Sequence, residues 1–403
     1  VFEFEDKRRF YLYSDLGKLE KYMKGISPED SDVITEFING VRRVQKLQMP
    51  VGKPREFMNI TDYLGMVKYL PMLSFMKKWL QISAEDYSKK FKNPFLQDAV
   101  KYFSSPILFE MFVLYAMDLK ASGYPTKGSL EFVKLFEKKY LAIGGKIRYN
   151  SQVTKIIVEH NKAVGVQLQN KETYNADIVI SAADGQTTIF NLLEGKYLDE
   201  TITTAYKTMK LNTSRIQVAL GIARTFEEEH HQIKYILNKP FTMSDGTQYE
   251  NIDIQIFKAK LAAPLGKTLL EIQFETSKGE YWINLRAQDI EKYNAAKLKL
   301  AQDVIEFLEK RIGNIKENVE MIDVVTPATY NRYTSNWKGS IQGWANEKIF
   351  EKNPFKKELP GLSNFYMIGQ WVEPGGGIPT VFKSGRDLAQ IICRKDKKRF
   401  EVH

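Results

Sequence analysis

The chain has 403 residues, a formal net charge of +10, four histidines and one cysteine, Cys393. That length suits two sequential or intertwined domains around a substantial core. One cysteine excludes an internal disulfide and a cysteine-rich metal site. Four histidines without H-E-x-x-H spacing speak against a zinc hydrolase, and the positive balance favours either an acidic partner or a solvated basic surface.

No run of the sequence is long and apolar enough to cross a bilayer. With the cysteine usage, this sets the expectation of a cytoplasmic protein, peripheral at an anionic membrane. The sequence offers no compact basic stripe with interleaved aromatics, so nucleic acid is not an expected partner.

The opening VFEFEDKRRFYLYSD alternates apolar and polar residues and predicts a strand or hairpin that already lies inside a fold. In SPEDSDVITEFINGVRRVQKL, Ser27 is the expected N-cap and Pro28 the first helical residue. Val33, Ile34, Phe37, Ile38, Val41 and Val44 form the stripe to be buried. The methionine-rich stretch from Tyr63 to Leu80 carries Lys77 and Lys78 and should split into two short helices at Pro71. Two roles stay open beside ordinary core packing, with methionines as gap fillers: lining a greasy cavity, or resting on a membrane face.

GSLEFVKLFEKKYLAIGG reads as a helix stopped by Gly144 and Gly145. From residue 146 the period changes to two, predicting short strands that end in the apolar run Ile178 to Ile180. Residues 214 to 285 predict a further sheet from SRIQVALGIAR, HHQIKYIL, NIDIQIFKA and TLLEIQFET, followed by the helix AQDVIEFLEKRIG. Near the C-terminus NFYMIGQWV is a short strand, EPGGG a tight connection and IPTVFKSGRDLAQIIC a helix. Bare glycines admit a planar or charged ligand close to the main chain, and free N–H groups at a helix start stabilise negative charge such as reduced flavin develops. A plain glycine-rich turn with close helix packing is the alternative.

Three blocks, GSLEFVKLFEKKYLAIGGKIRYNSQVTKIIVEHNKAVGVQLQNKETYNADIVISAAD, TPATYNRYTSNWKGSIQGW and LPGLSNFYMIGQWVEPGGGIPTVFKSGRDLAQIICRKD, resemble the phytoene desaturase and retinol saturase branch of FAD-dependent oxidoreductases. The resemblance implies an α/β fold, with a flavin-binding Rossmann-like domain and an inserted α+β substrate domain. Residues 1–13 would be a remnant of the flavin domain, 14–125 the helical part of the substrate domain, and 126–200 the middle part of the flavin domain. Residues 201–325 would form the sheet part of the substrate domain and 326–403 the C-terminal part of the flavin domain.

The resemblance also implies FAD as cofactor. Val153 would approach its adenine end, Ala182 and Ala183 its dinucleotide path, and Gly369, Gly375, Gly376, Gly377 and Pro379 its ribityl and isoalloxazine parts. The implied function is desaturation or saturation of an extended apolar carotenoid-, retinoid- or lipid-like substrate. The two alternatives are a non-catalytic lipid-binding or assembly subunit and a flavin amine oxidase-like enzyme. No catalytic side chain is assigned; Tyr330, Tyr333 and Trp371 are candidates for shaping the cavity beside the ring. The stretch from Tyr63 to Leu80 and the middle sheet should wall an elongated cavity that reaches WVEPGGG.

One departure from the family is plain. Its leading strand, G-x-G-x-x-G turn and helix, with an acidic residue after the next strand, have no counterpart in this sequence. The expectation is therefore that the N-terminal part of the flavin domain, roughly 80 to 100 residues, is absent, from the usual size of such a unit. A complementing N-terminal fragment would then be a partner, and FAD binding by residues 1–403 alone would be weak or absent.

Overall fold

The computed structural model describes all residues except 47–51, 126–127, 227–228, 244, 259–261, 346–352 and 403, and except the side chains of Tyr63 and Met66. The chain forms two compact units, Val1–Val133 with Glu228–Lys239, and Lys134–Glu227 with Pro240–His403.

The first unit opens with β1 (Phe2–Phe4) and β2 (Arg9–Phe10), followed by α1 (Leu16–Ile26), α2 (Ser31–Gln45), α3 (Ile60–Gly65), α4 (Leu70–Leu80), α5 (Ala84–Ser88), α6 (Pro94–Lys101) and α7 (Ile107–Asp118). Phe2, Phe4 and Phe10 point into a core shared with Leu19, Phe37, Val41, Trp79 and Met111. Residues 1–13, expected with the flavin domain, thus belong to the helical unit, because three phenylalanines are buried there. Ser27 is an N-cap followed by Pro28, as expected, but what it caps is a 3-10 turn. The Ser27 hydroxyl donates to Asp30 Oδ2 at 2.7 Å, the turn occupies Pro28–Asp30, and the α-helix begins at Ser31. The stripe Ile34, Phe37, Ile38, Val41 and Val44 is buried as the spacing predicts.

Helix α8 (Gly128–Ala142) carries the chain into the second unit and buries none of its described side chains. There follow β3 (Val153–Glu159), β4 (Lys162–Leu168), β5 (Thr173–Asn175), β6 (Val179–Ser181), a π-helical turn at Thr187–Leu192, α9 (Glu200–Thr208) and β7 (Ser214–Ile222). Strand β8 (Gln232–Thr242) lies largely in the first unit, where β1 pairs with it in parallel and with β2 in antiparallel sense. The remainder comprises β9 (Gln248–Phe257), β10 (Thr268–Thr276), α10 (Gly279–Gln288), α11 (Ile290–Ile312), β11 (Val319–Val325), α12 (Pro327–Thr334), β12 (Phe365–Met367) and α13 (Gly377–Lys395).

In the second unit β11, β7, β10 and β9 form an antiparallel ladder in that order. Ile216, Val218, Leu220 and Ile222 alternate inward along β7, and α11 packs on β7 and β11. Strands β3, β4 and β5 make an antiparallel meander, whereas β6 and β12 are parallel. The architecture is α/β with mixed sheets, as expected. The predicted strand at Lys146–Asn150 is irregular.

Glu110 of α7 is buried. Its Oε2 accepts the Ser104 N–H at 2.8 Å, while Oε1 has no hydrogen-bond partner among the described residues. Burial raises its pKa above the ordinary 4.5, against the Ser104 hydrogen bonds. A raised folded-state value means that its contribution to stability is complete below about pH 4.5 and is lost as the pH rises through the folded-state value. Glu110→Gln is expected to remove this loss. Denaturant unfolding across that pH range should fall more steeply for the wild type, and equal slopes would show that the carboxyl ionises without hindrance.

Candidate cofactor site

The site is built at the carboxyl ends of β6 and β12. Their parallel register pairs Phe365 with Val179 and Met367 with Ser181, and the Ile368 N–H donates to Ser181 O at 2.9 Å. Both chains therefore leave the sheet side by side, at Ala182 and at Gly369, the place where open parallel sheets receive ligands. Gly369 has a φ of +92°, and a Cβ built on it would lie 4.0 Å from Ala182 O. The Gly369 N–H donates to Ser384 Oγ of α13 at 3.0 Å, and its carbonyl accepts from the Val372 and Glu373 N–H groups. Strand end, turn and helix are thereby tied together.

Gly375, Gly376 and Gly377 all have positive φ, at +117°, +59° and +80°. Gly376 caps the 19-residue α13 and is buried. A Cβ there would sit 2.8 Å from Gln342 Oε1, an oxygen that also accepts from Asn212 Nδ2 at 3.3 Å. Gly377, Ile378 and Pro379 are exposed at the helix start, where Gly377 and Ile378 carry the first N–H groups and Pro379 has none. Gly376→Ala is expected to cost about 2 kcal/mol, combining a left-handed backbone with displacement of Gln342. Gly377→Ala, where only Pro379 Cδ comes within 4 Å of the new carbon, should cost about 1 kcal/mol. Thermal unfolding of the two variants checks the order.

Behind the turn stands an aromatic wall. The Trp344 ring is edge-on to Tyr206 (4.9 Å) and Trp371 (5.3 Å) and stacks on Phe355 (5.2 Å). Trp344 Nε1 donates to Trp371 O at 3.2 Å. Tyr206 Oη and Trp371 Nε1 are buried without hydrogen-bond partners among the described residues, and a Cβ on Gly185 would meet Tyr206 Oη at 2.4 Å.

Asp184, three residues past β6, is buried. Its two oxygens accept the Thr187 and Trp337 N–H groups at 2.7 and 2.8 Å. Burial raises its pKa, opposed by those N–H donors; burial and the Asp184 charge push the Tyr206 phenol up. On the other side Lys357, 1% exposed, pairs with Glu373 at 2.6 Å and so fixes the residue that enters the glycine turn.

The structure brings Ala182 and Gly369 together, and it places Ala183, the three glycines and Pro379 on the two connections that leave this sheet. Val153 begins β3 and pairs with Leu168 on the separate antiparallel meander. Trp371 is in the aromatic wall. Tyr330 is half-buried and donates to Gln217 Oε1 at 2.7 Å, and Tyr333 is largely exposed. Of the stretch Tyr63 to Leu80, Met76 and Trp79 enter the core of the first unit, while Leu64, Val67, Leu70 and Leu73 are exposed. Sequence reasoning missed Asp184, Tyr206, Gln342, Trp344, Lys357 and Glu373. Glu373 stood inside the quoted glycine motif, but its buried partner is one of two adjacent lysines that read as a solvated pair.

The chain belongs to the flavin containing amine oxidoreductase family, which it matches over residues 29–235. It is thereby an FAD-dependent oxidoreductase of the superfamily that joins phytoene desaturases and amine oxidases. Among its relatives is 4,4'-diapophytoene desaturase (4,4'-diapolycopene-forming) of Methylomonas sp, 23% identical over 98% of this chain and 79% of that protein. The chloroplastic prolycopene isomerase of Arabidopsis thaliana is 26% identical over 76% of this chain, and only 52% of its own length is spanned. A solved triple mutant of putrescine oxidase shares the fold at 10% identity, with a TM-score of 0.54 over 98% of this chain and 80% of that one.

The residues present fit the ring end of FAD. Main chain without Cβ atoms lies beside two parallel strand ends, and open N–H groups at a helix start suit the electron-rich pyrimidine edge.

Proposed function

We propose that the protein is an FAD-dependent desaturase or saturase of an extended, apolar, carotenoid- or retinoid-like substrate. The observation that carries this reading is the meeting of Ala182 and Gly369 at the ends of β6 and β12, with the positive-φ glycines Gly375–Gly377 on the connection from β12 into α13. The substrate class is supported by the relatives named 4,4'-diapophytoene desaturase (4,4'-diapolycopene-forming) and 1-hydroxycarotenoid 3,4-desaturase. Bound FAD supplies hydride acceptance or donation. The chain's own part is to hold the ring against bare backbone, to stabilise charge with the N–H groups at the start of α13, and to keep water out with the Trp344, Trp371 and Tyr206 wall. No nucleophilic side chain is needed.

We further propose that the pyrophosphate is gripped by a strand, G-x-G-x-x-G turn and helix from a complementing segment outside residues 1–403. Two observations support a docking place for it. Among the described residues β6 has β12 as its one strand neighbour and exposes Ile180, and in the same unit α8 exposes Leu135, Phe136, Tyr140 and Leu141.

The family description favours a second reading, oxidation of an amine. The test is to offer the FAD-loaded protein an acyclic polyene in lipid vesicles and, separately, a panel of polyamines. A shift of the polyene absorption as conjugated double bonds are added or removed supports the first reading. Peroxide released with amines and an unchanged polyene would replace it with the second.

A further inference from the structure

Residues 52–80 carry a surface that the flavin chemistry does not use. Helix α3, the 3-10 turn Met66–Tyr69 and α4 follow one another, and Ile60, Leu64, Val67, Leu70 and Leu73 recur at spacings of four, three, three and three. Such spacing places them along one side of a helical path, and all five are 42–78% exposed. The inner side is firmly held. Met76 and Trp79 are in the core, Met72, Phe75 and Leu80 pack against it, and Arg43 donates to Pro71 O at 3.1 Å while covering the Phe75 ring at 4.7 Å. The outer side of an amphipathic helix on an ordinary surface would be polar; here it is aliphatic.

Charge indicates what covers this stripe. Residues 52–80 contain five basic side chains (Lys53, Arg55, Lys68, Lys77 and Lys78) against two acidic ones, Glu56 and Asp62. Lys77 lies seven positions after Leu70, on the same outward side of α4, where its stem can lie along apolar groups while the ammonium reaches outward. Two copies of this chain meeting face to face would oppose equal positive excesses. An anionic lipid surface offers both hydrocarbon for the leucines and phosphates for the lysines.

We propose that this face seats the protein peripherally on an anionic bilayer, with Leu64, Val67, Leu70 and Leu73 in the boundary between headgroups and acyl chains and Lys68 and Lys77 at the phosphates. Among the described residues no helix is long and apolar enough to cross a membrane, so the contact is interfacial. The proposal stands independently of flavin and substrate.

The test is cosedimentation of the full chain with vesicles of phosphatidylcholine alone and of phosphatidylcholine containing phosphatidylserine, at low and high salt. Binding should favour the phosphatidylserine vesicles and weaken with salt. Leu64→Ser/Leu70→Ser should reduce it at least about tenfold, since two large aliphatic side chains lose their burial. Leu265→Ser, at a highly exposed leucine elsewhere, should leave binding unchanged. Circular dichroism verifies folding, and should the serine pair unfold, Lys68→Glu/Lys77→Glu decides by loss of the phosphatidylserine preference. Three results would overturn the proposal: no preference for phosphatidylserine, a serine pair that binds like Leu265→Ser, or a wild-type dimer in sedimentation that the serine pair abolishes, which assigns the stripe to a second copy.

Discussion

Glu373→Ala is expected to destabilise the protein by about 3 kcal/mol, because it removes the carboxylate that lies 2.6 Å from the buried Lys357 ammonium. The ammonium lies 2.6 Å from Glu373 Oε1 and its side chain is almost wholly removed from water, while the glutamate keeps an edge in solvent. Taking one partner away leaves the desolvation cost of the other without its Coulombic compensation. The Lys357 carbonyl also accepts the Met367 N–H at 2.7 Å, so strain at this residue reaches β12 directly. Lys357→Met combined with Glu373→Gln should recover part of the loss, since the buried ammonium and the carboxylate facing it are then both removed. Denaturant midpoints of the three proteins check this. A single-variant cost below about 0.5 kcal/mol, the range of exposed pairs, would show that the ion pair is effectively solvated.

Trp344→Ala should cost about 4 kcal/mol, the range for emptying a large aromatic site in a packed core. The indole is fully buried, touches Tyr206, Phe355 and Trp371, and supplies the hydrogen bond to the Trp371 carbonyl. Its removal opens a cavity among Tyr206, Phe355 and Trp371 and leaves the Trp371 carbonyl without its indole donor. Trp344→Phe keeps part of the ring contact but not the hydrogen bond, and should cost about half as much. Equal losses for the two variants would place the energy in the hydrogen bond rather than in the packing.

Local pattern made much of this fold legible. The stripe of α2, the break at Pro71, the alternation of β7 and β10 and the start of α13 just after Gly376 all follow from side-chain period and backbone chemistry within a few residues. What was hidden depends on distant partners. The strand character of residues 2–4 was readable, but their pairing with residues 234–236 was not. The carboxylate of Asp184 reads as an ordinary turn residue until the Trp337 N–H, 153 positions later, is placed against it. Lys357 looks solvated beside Lys356 because nothing nearby announces that β12 will enclose it. The stretch at 146–150 has strand-like period but no regular strand.

FAD binding by residues 1–403, alone and with a strand, G-x-G-x-x-G turn and helix supplied in front of them, tests the proposed division of the flavin site. The account places the ring seat in this chain and the phosphate grip in the added segment. Titration should therefore detect weak binding by 1–403 that Gly376→Val abolishes, with the flavin lost on desalting. The protein with that segment supplied should retain FAD at one equivalent through the same column. Stoichiometric retention by residues 1–403 alone, or binding indifferent to Gly376→Val, would contradict it.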